Sequence, residues 1–134
     1  MSVRGGCLCG AVRYEVRGAL RPVVLCHCVQ CRRWHGHFSA FTSARREDLV
    51  LLRGDELRWY GDAPSEAGAR RGFCGRCGTS LLWDAPSRSS ISIAAGSLEE
   101  PTGLRSAAHI YVDEAGGYYE LPDDSLPRHD RAAG

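Results

Sequence analysis

Apolar and polar residues alternate over residues 12–16. Val12, Tyr14 and Val16 are separated by Arg13 and Glu15, the two-residue period of a strand with one covered face. Gly5, Gly6 and Gly10 punctuate its start and Gly18 its end, as in a hairpin or meander. Residues 22–26 form an apolar run that delivers the chain to Cys26, and residues 29–34 suit a tight turn or short helix. Phe38, Ala40 and Thr42 fall on one side of another strand, and residues 45–49 read as a helical turn capped by Ser43. Further strands are expected over residues 56–60, 69–74, 90–94 and 108–112, with an apolar run at 50–52 and a segment over 79–83 that leads away from Cys77. Between them lie a loop at 61–68, a tight knuckle at 74–78 and a turn at Gly116-Gly117. The polar tail from Pro122 onward is expected on the surface. No heptad, fixed repeat, long helical period or linker interrupts this pattern. It predicts an all-β fold with short helical turns, in one domain over residues 1–134.

Composition changes this picture little until the cysteines are counted. The 134 residues allow one modest core, with hydrophobic residues at 43%. Lys+Arg at 17 against Asp+Glu at 16 gives a formal charge of +1, which argues against nucleic acid as a partner. All of the basic residues are arginine. No apolar run approaches the length of a membrane span, and the first residues lack the apolar segment of a secretion signal. Seven cysteines in that setting read as metal ligands of a cytoplasmic protein before disulfides.

The cysteines fall into three groups: Cys7-x-Cys9, Cys26-x-Cys28-x-x-Cys31 and Cys74-x-x-Cys77. Tetrahedral zinc takes four ligands, with Zn–S distances of about 2.3 Å. Two pairs therefore close one site, and the triplet leaves a second site one ligand short. Assigning Cys7, Cys9, Cys74 and Cys77 to the closed site clips the N-terminal hairpin to the middle of the chain. Gly10, Gly75 and Gly78 suit the tight turns such knuckles need. Cys26, Cys28 and Cys31 would hold the open or labile zinc. Its fourth position is left for water, a substrate thiol, His35 or His37. His27 is a poor ligand because an extended segment turns it away from Cys26 and Cys28. A redox dithiol, an iron–sulfur centre and a second purely structural zinc remain alternatives at this stage.

Several segments together resemble the glutathione-dependent formaldehyde-activating enzyme family, which includes the centromere protein V group. They are Gly5-Gly6-Cys7-Leu8-Cys9-Gly10-Ala11-Val12-Arg13-Tyr14, Cys26-His27-Cys28-x-x-Cys31-Arg32 and Phe73-Cys74-x-x-Cys77-Gly78-Thr79. Gly96-Ser97-Leu98 and His109-Ile110-Tyr111-Val112 match downstream elements, so the resemblance runs from residue 5 to about 127. It implies a zinc-stabilised β-tent fold, a structural zinc on Cys7, Cys9, Cys74 and Cys77, and a catalytic or labile zinc on Cys26, Cys28 and Cys31. The implied reaction joins formaldehyde and glutathione into S-hydroxymethylglutathione, which is carbon–sulfur lyase chemistry in reverse. Where the family carries a Lys-x-Pro segment, this chain has Ala115-Gly116-Gly117-Tyr118.

Around the open site, Arg32 offers a cation to an anionic centre, and His35 and His37 offer proton transfer. Arg33, Trp34 and Tyr118 are candidates to hold the body of a thiol such as glutathione. His109 lies among apolar neighbours and reads as a satisfied core or rim residue. Three functions compete: a zinc-dependent carbon–sulfur lyase, a zinc-stapled binding or scaffold domain without turnover, and a sensor of metals or electrophiles.

Overall fold

A computed structural model describes residues 2–61 and 68–132. The expected loop at 61–68 falls mostly outside the described residues. Among the described residues, ten strands and one α-helix follow in chain order: β1 Val3–Gly6, β2 Arg13–Val16, β3 Val23–Cys26, α1 Val29–His35, β4 Ser39–Arg45, β5 Leu49–Arg53, β6 Leu57–Gly61, β7 Arg70–Cys74, β8 Ser80–Asp84, β9 Ser90–Ala94 and β10 Ser106–Ile110. Single 3-10 turns occupy Arg46–Asp48, Ala95–Ser97 and Val112–Glu114. The fold is mostly β, in two open sheets. No helix among the described residues is long and apolar enough to cross a membrane.

The small sheet has the order β1-β2-β5 and the large one β10-β3-β4-β9-β8-β7-β6. All pairings are antiparallel except β10 with β3. Val12, just before β2, and Tyr14 and Val16 of the small sheet pack with Ala44, Leu81, Leu82, Ile91 and Ile93 from the large one. Burial of these side chains is the main stabilising term, at about 25 cal/mol per Å² of apolar surface. The turn after β9 ties the sheets together, because Tyr14 Oη and Ser97 Oγ are hydrogen-bonded at 2.6 Å and Leu98 joins the core.

The polarity pattern misplaces several residues. Glu15, on the polar side of β2, is buried, with Arg17 Nε at 2.7 Å and Arg4 Nε at 3.5 Å donating to its carboxylate. In β4 the covered positions include Ser39 and Phe41, while Phe38 and Ala40 are only half-buried. Both flanking strands, β3 and β9, hold this strand centrally, so one-face alternation does not apply. Ser43 caps nothing: β4 runs on through Arg45, and the next turn has no side-chain cap. The tail lies on the surface as expected, exposed at most positions, and is pinned there against β10. His109 N donates to Pro127 O at 2.9 Å, and His129 N donates to His109 O at 2.9 Å, adding a pairing segment beside β10.

Candidate metal centre and adjoining cavity

The turn after β1 and the turn after β7 bring Cys7, Cys9, Cys74 and Cys77 together, all four sulfurs within 4.8 Å of one another. Cys7 and Cys9 sulfurs are 3.7 Å apart, and Cys9 and Cys74 sulfurs 3.8 Å. A tetrahedron with 2.3 Å arms has edges of about 3.8 Å, so the donor set fits an enclosed zinc-sized ion. Backbone N–H groups of Val12 and Arg76 donate to the Cys7 and Cys74 sulfurs at 3.2 and 3.4 Å. Thr79 joins the two knuckles, its Oγ1 accepting from Leu8 N at 3.1 Å and lying 3.1 Å from the Cys77 sulfur. That hydroxyl, then the Thr79 backbone N–H, pull the Cys77 thiol down to about 5.

Gly10 and Gly78 close these knuckles at φ +82° and +80°, the left-handed region that side chains with a Cβ resist. Gly75 is present for a different reason. Its backbone φ is ordinary, but a Cβ there would meet Arg58 Cγ at 2.8 Å, and its N–H donates to Glu56 O at 2.7 Å.

The second group is built by strand and helix together. Cys26 ends β3, pinned between Ile110 of β10 and Ser39 of β4. Cys28 is the N-cap of α1, its sulfur accepting from Cys31 N at 3.3 Å. Cys31 is one turn on and buried. The three sulfurs lie within 4.8 Å of one another, and no other Cys, His, Asp or Glu of the described residues joins them. Thiols this close do not all ionise alone. Hydrogen bonds from Cys26, then Cys28, hold Cys31 far below the ordinary thiol value, while the contacts with Cys28 and Cys31 drive Cys26 far above it. A cation among them would let all three ionise, so this set also fits a metal ion, with one ligand position left over.

Arg71 of β7 links this sulfur group to a cavity. It is 8% exposed, and its Nη2 donates toward Cys31 Sγ at 4.0 Å. Tyr60, Arg71 and Trp83 face one another across β6, β7 and β8. With Gln30, Arg33 and Trp34 from α1 they line a cavity of about 380 Å³. Trp34 is fixed there by Nε1–H donation to Ser80 Oγ at 3.0 Å and by stacking on Tyr60, with ring centroids 5.7 Å apart.

The remaining sequence candidates scatter around α1. Arg32 donates from Nε to Glu114 O at 3.0 Å, outside the cavity lining. His35 is half-buried against Phe41, its Nε2 without a partner among the described residues, and burial lowers its pKa. His37 is exposed and shares a 2.7 Å hydrogen bond with the Tyr118 hydroxyl, so Tyr118 stands with His37 and not with Trp34.

Sequence reasoning passed over a buried chain of hydrogen bonds. Tyr119 Oη lies 2.7 Å from His27 Nδ1, His27 Nε2 lies 2.8 Å from His109 Nδ1, and His109 Nε2 lies 2.8 Å from Asp124 Oδ2. Both of His27's nitrogens are thereby engaged away from the sulfurs. Its pKa falls to about 4, through burial and then His109, so the ring is neutral at pH 7. The tail residues Tyr119 and Asp124 carried no sequence signal of this role. Arg71 was likewise one arginine among many; its place in a strand ending at Cys74 was the available hint.

A sequence profile described as "Glutathione-dependent formaldehyde-activating enzyme" matches residues 2–114. A curated protein of Schizosaccharomyces pombe, named as an uncharacterized lyase, is 32% identical over 80 residues. That match covers 59% of this chain and 55% of the relative, so it spans about half the length of each. The crystal structure of a Rhodobacter sphaeroides protein is similar in fold, with a TM-score of 0.62 at 23% identity, over 94% of this chain and 98% of that one.

Proposed function

The chain belongs to the glutathione-dependent formaldehyde-activating enzyme family, and from that membership we propose that it is a zinc-dependent carbon–sulfur lyase acting on a small thiol–aldehyde adduct. S-Hydroxymethylglutathione, or a related adduct of glutathione, is the proposed substrate. The observation that carries the reading is the juxtaposition of a three-sulfur group, one ligand short, with a cavity reached through Arg71. The name of the yeast relative points to the same reaction class.

Zinc held by Cys26, Cys28 and Cys31 would favour the thiolate form of a substrate thiol at neutral pH. In the lyase direction the carbon–sulfur bond breaks, the electron pair stays on sulfur, and the hydroxyl proton leaves as the carbonyl forms. Three thiolates around a divalent ion carry one net negative charge, and the Arg71 guanidinium beside Cys31 offsets it. Arg33 and Trp34 hold the body of the adduct in the cavity. His35 and the His37–Tyr118 pair are the proposed acceptors of the hydroxyl proton, and Arg32 anchors the helix that ends at His35 to Glu114. Cys7, Cys9, Cys74 and Cys77 would hold a zinc with a purely structural role.

Exchange NMR of zinc-loaded protein with glutathione and a series of aldehydes tests this. Interconversion of free and adduct forms should accelerate, and Cys28→Ser should abolish the acceleration while one zinc remains bound. No acceleration with any thiol–aldehyde pair would remove the enzyme reading.

A further inference from the structure

We propose that the cavity beside Cys31 is a binding site for an organic carboxylate carried on a flat apolar body, with Arg71 and Arg33 as its anchors. The assignment deepens the lyase reading and rests on it only in treating this ligand as the acid-bearing half of the adduct. The first observation is Arg71 itself. A guanidinium this buried normally has its donors matched. Arg71 Nη2 faces Cys31, but Nη1 is buried with no hydrogen-bond partner among the described residues. Leaving such a charged donor unmatched costs more than an ordinary lost hydrogen bond, and a carboxylate is the group whose two oxygens suit a guanidinium fork.

The lining supplies the rest. Among the described residues, the lining of Gln30, Arg33, Trp34, Tyr60, Ala69, Arg71 and Trp83 includes two cations and no carboxylate. The only net charge they offer a ligand is positive. Trp34, Tyr60 and Trp83 supply three aromatic rings, with Trp34 locked by Ser80 and stacked on Tyr60. Rings held in place this way present flat apolar faces before any ligand arrives. At about 380 Å³ the cavity has the size of a small-molecule site. A planar acid carried on the adduct would fill that space beside the sulfurs.

Benzoate is the probe, titrated into zinc-loaded protein and read by tryptophan fluorescence, with benzamide and acetate as controls. Benzoate should quench saturably, and benzamide and acetate should bind about tenfold more weakly or worse, the former lacking the charge and the latter the ring. Arg33→Gln and Arg71→Lys should each weaken benzoate by about tenfold while leaving benzamide unchanged, with circular dichroism and zinc content as wild type. Because Arg33 is exposed, its variant reports even if Arg71→Lys fails to fold. Equal affinity for benzoate and benzamide, equal affinity for benzoate and acetate, or benzoate binding indifferent to Arg33→Gln would each overturn the assignment. The titration needs no turnover. Benzoate binding without any thiol–aldehyde chemistry would keep this site and remove the lyase, and turnover without benzoate binding would do the reverse.

Discussion

His27 Nε2 and His109 Nδ1 lie 2.8 Å apart, and neither ring is exposed to solvent. The Asp124 carboxylate can only accept, so it takes the Nε2–H of His109. His27 Nδ1 lies 2.7 Å from Tyr119 Oη, which extends the chain to four groups. Asp124→Ala should cost about 1–3 kcal/mol in urea unfolding by stranding a buried donor. In nitrogen NMR, His109 of the parent protein should carry a proton on Nε2, the nitrogen that faces Asp124. A wild-type unfolding midpoint for the variant would contradict this account.

The two sulfur groups should differ in what they support. Structural zinc contributes about 10–16 kcal/mol to folding in small domains, comparable with a domain's whole stability of about 5–15 kcal/mol. Cys77→Ser should therefore give insoluble or molten protein, and Cys28→Ser should stay folded with one metal ion. Metal analysis and near-ultraviolet circular dichroism of the pair check this, and similar mild effects from both would refute it.

Asp84 is a buried carboxylate with Arg46 at 2.7 Å and Arg70 at 3.1 Å. Burial alone would raise its pKa, but hydrogen bonds from Arg46 and Arg70 more than offset that and hold it below 3.8. The unfolded chain takes up a proton near 3.8, before the folded one does. Asp84 thus contributes stability that is present above that pH and lost as pH falls through the lower folded value. Asp84→Asn should lower stability at pH 7 by about 1–3 kcal/mol and flatten its acid dependence below pH 4. Urea titrations at pH 7 and pH 3 make the comparison.

Gly78→Ala forces a Cβ into the left-handed region at φ +80°, although open space surrounds it. The cost should be about 1–2 kcal/mol. Gly75→Ala should cost at least as much for a steric reason, because the Arg58 side chain and Glu56 O crowd the position. Matched urea curves separate the two if Arg58→Ala relieves the Gly75 variant but not the Gly78 variant.

Much of the fold was legible because strand periods and glycine punctuation are local signals. Residues 90–94 are β9 as read, and the cysteine spacing revealed two groups able to hold metal. What escaped was set by partners distant in sequence. Glu15 is buried because arginines on either side cover it, which alternation cannot show. The tail looked solvated by composition, yet Asp124 finds a histidine 15 positions earlier and the backbone near His129 finds a strand. Around the sulfurs, closeness in sequence to Cys31 singled out Arg33 and Trp34, but only the pairing of β6, β7 and β8 brings Tyr60, Arg71 and Trp83 together beside them.

The knot of Cys7, Cys9, Cys74 and Cys77 spans chain segments 65 positions apart at the Cys9–Cys74 contact. During synthesis the first hairpin emerges long before its partner knuckle leaves the ribosome, so the newborn chain carries two reduced sulfurs with nothing to share an ion with. Maturation then waits on translation past Cys77 and on the supply of metal at that moment. On the proposed zinc assignment, a chain made without zinc keeps this half-built form, its two knuckles unjoined by an ion.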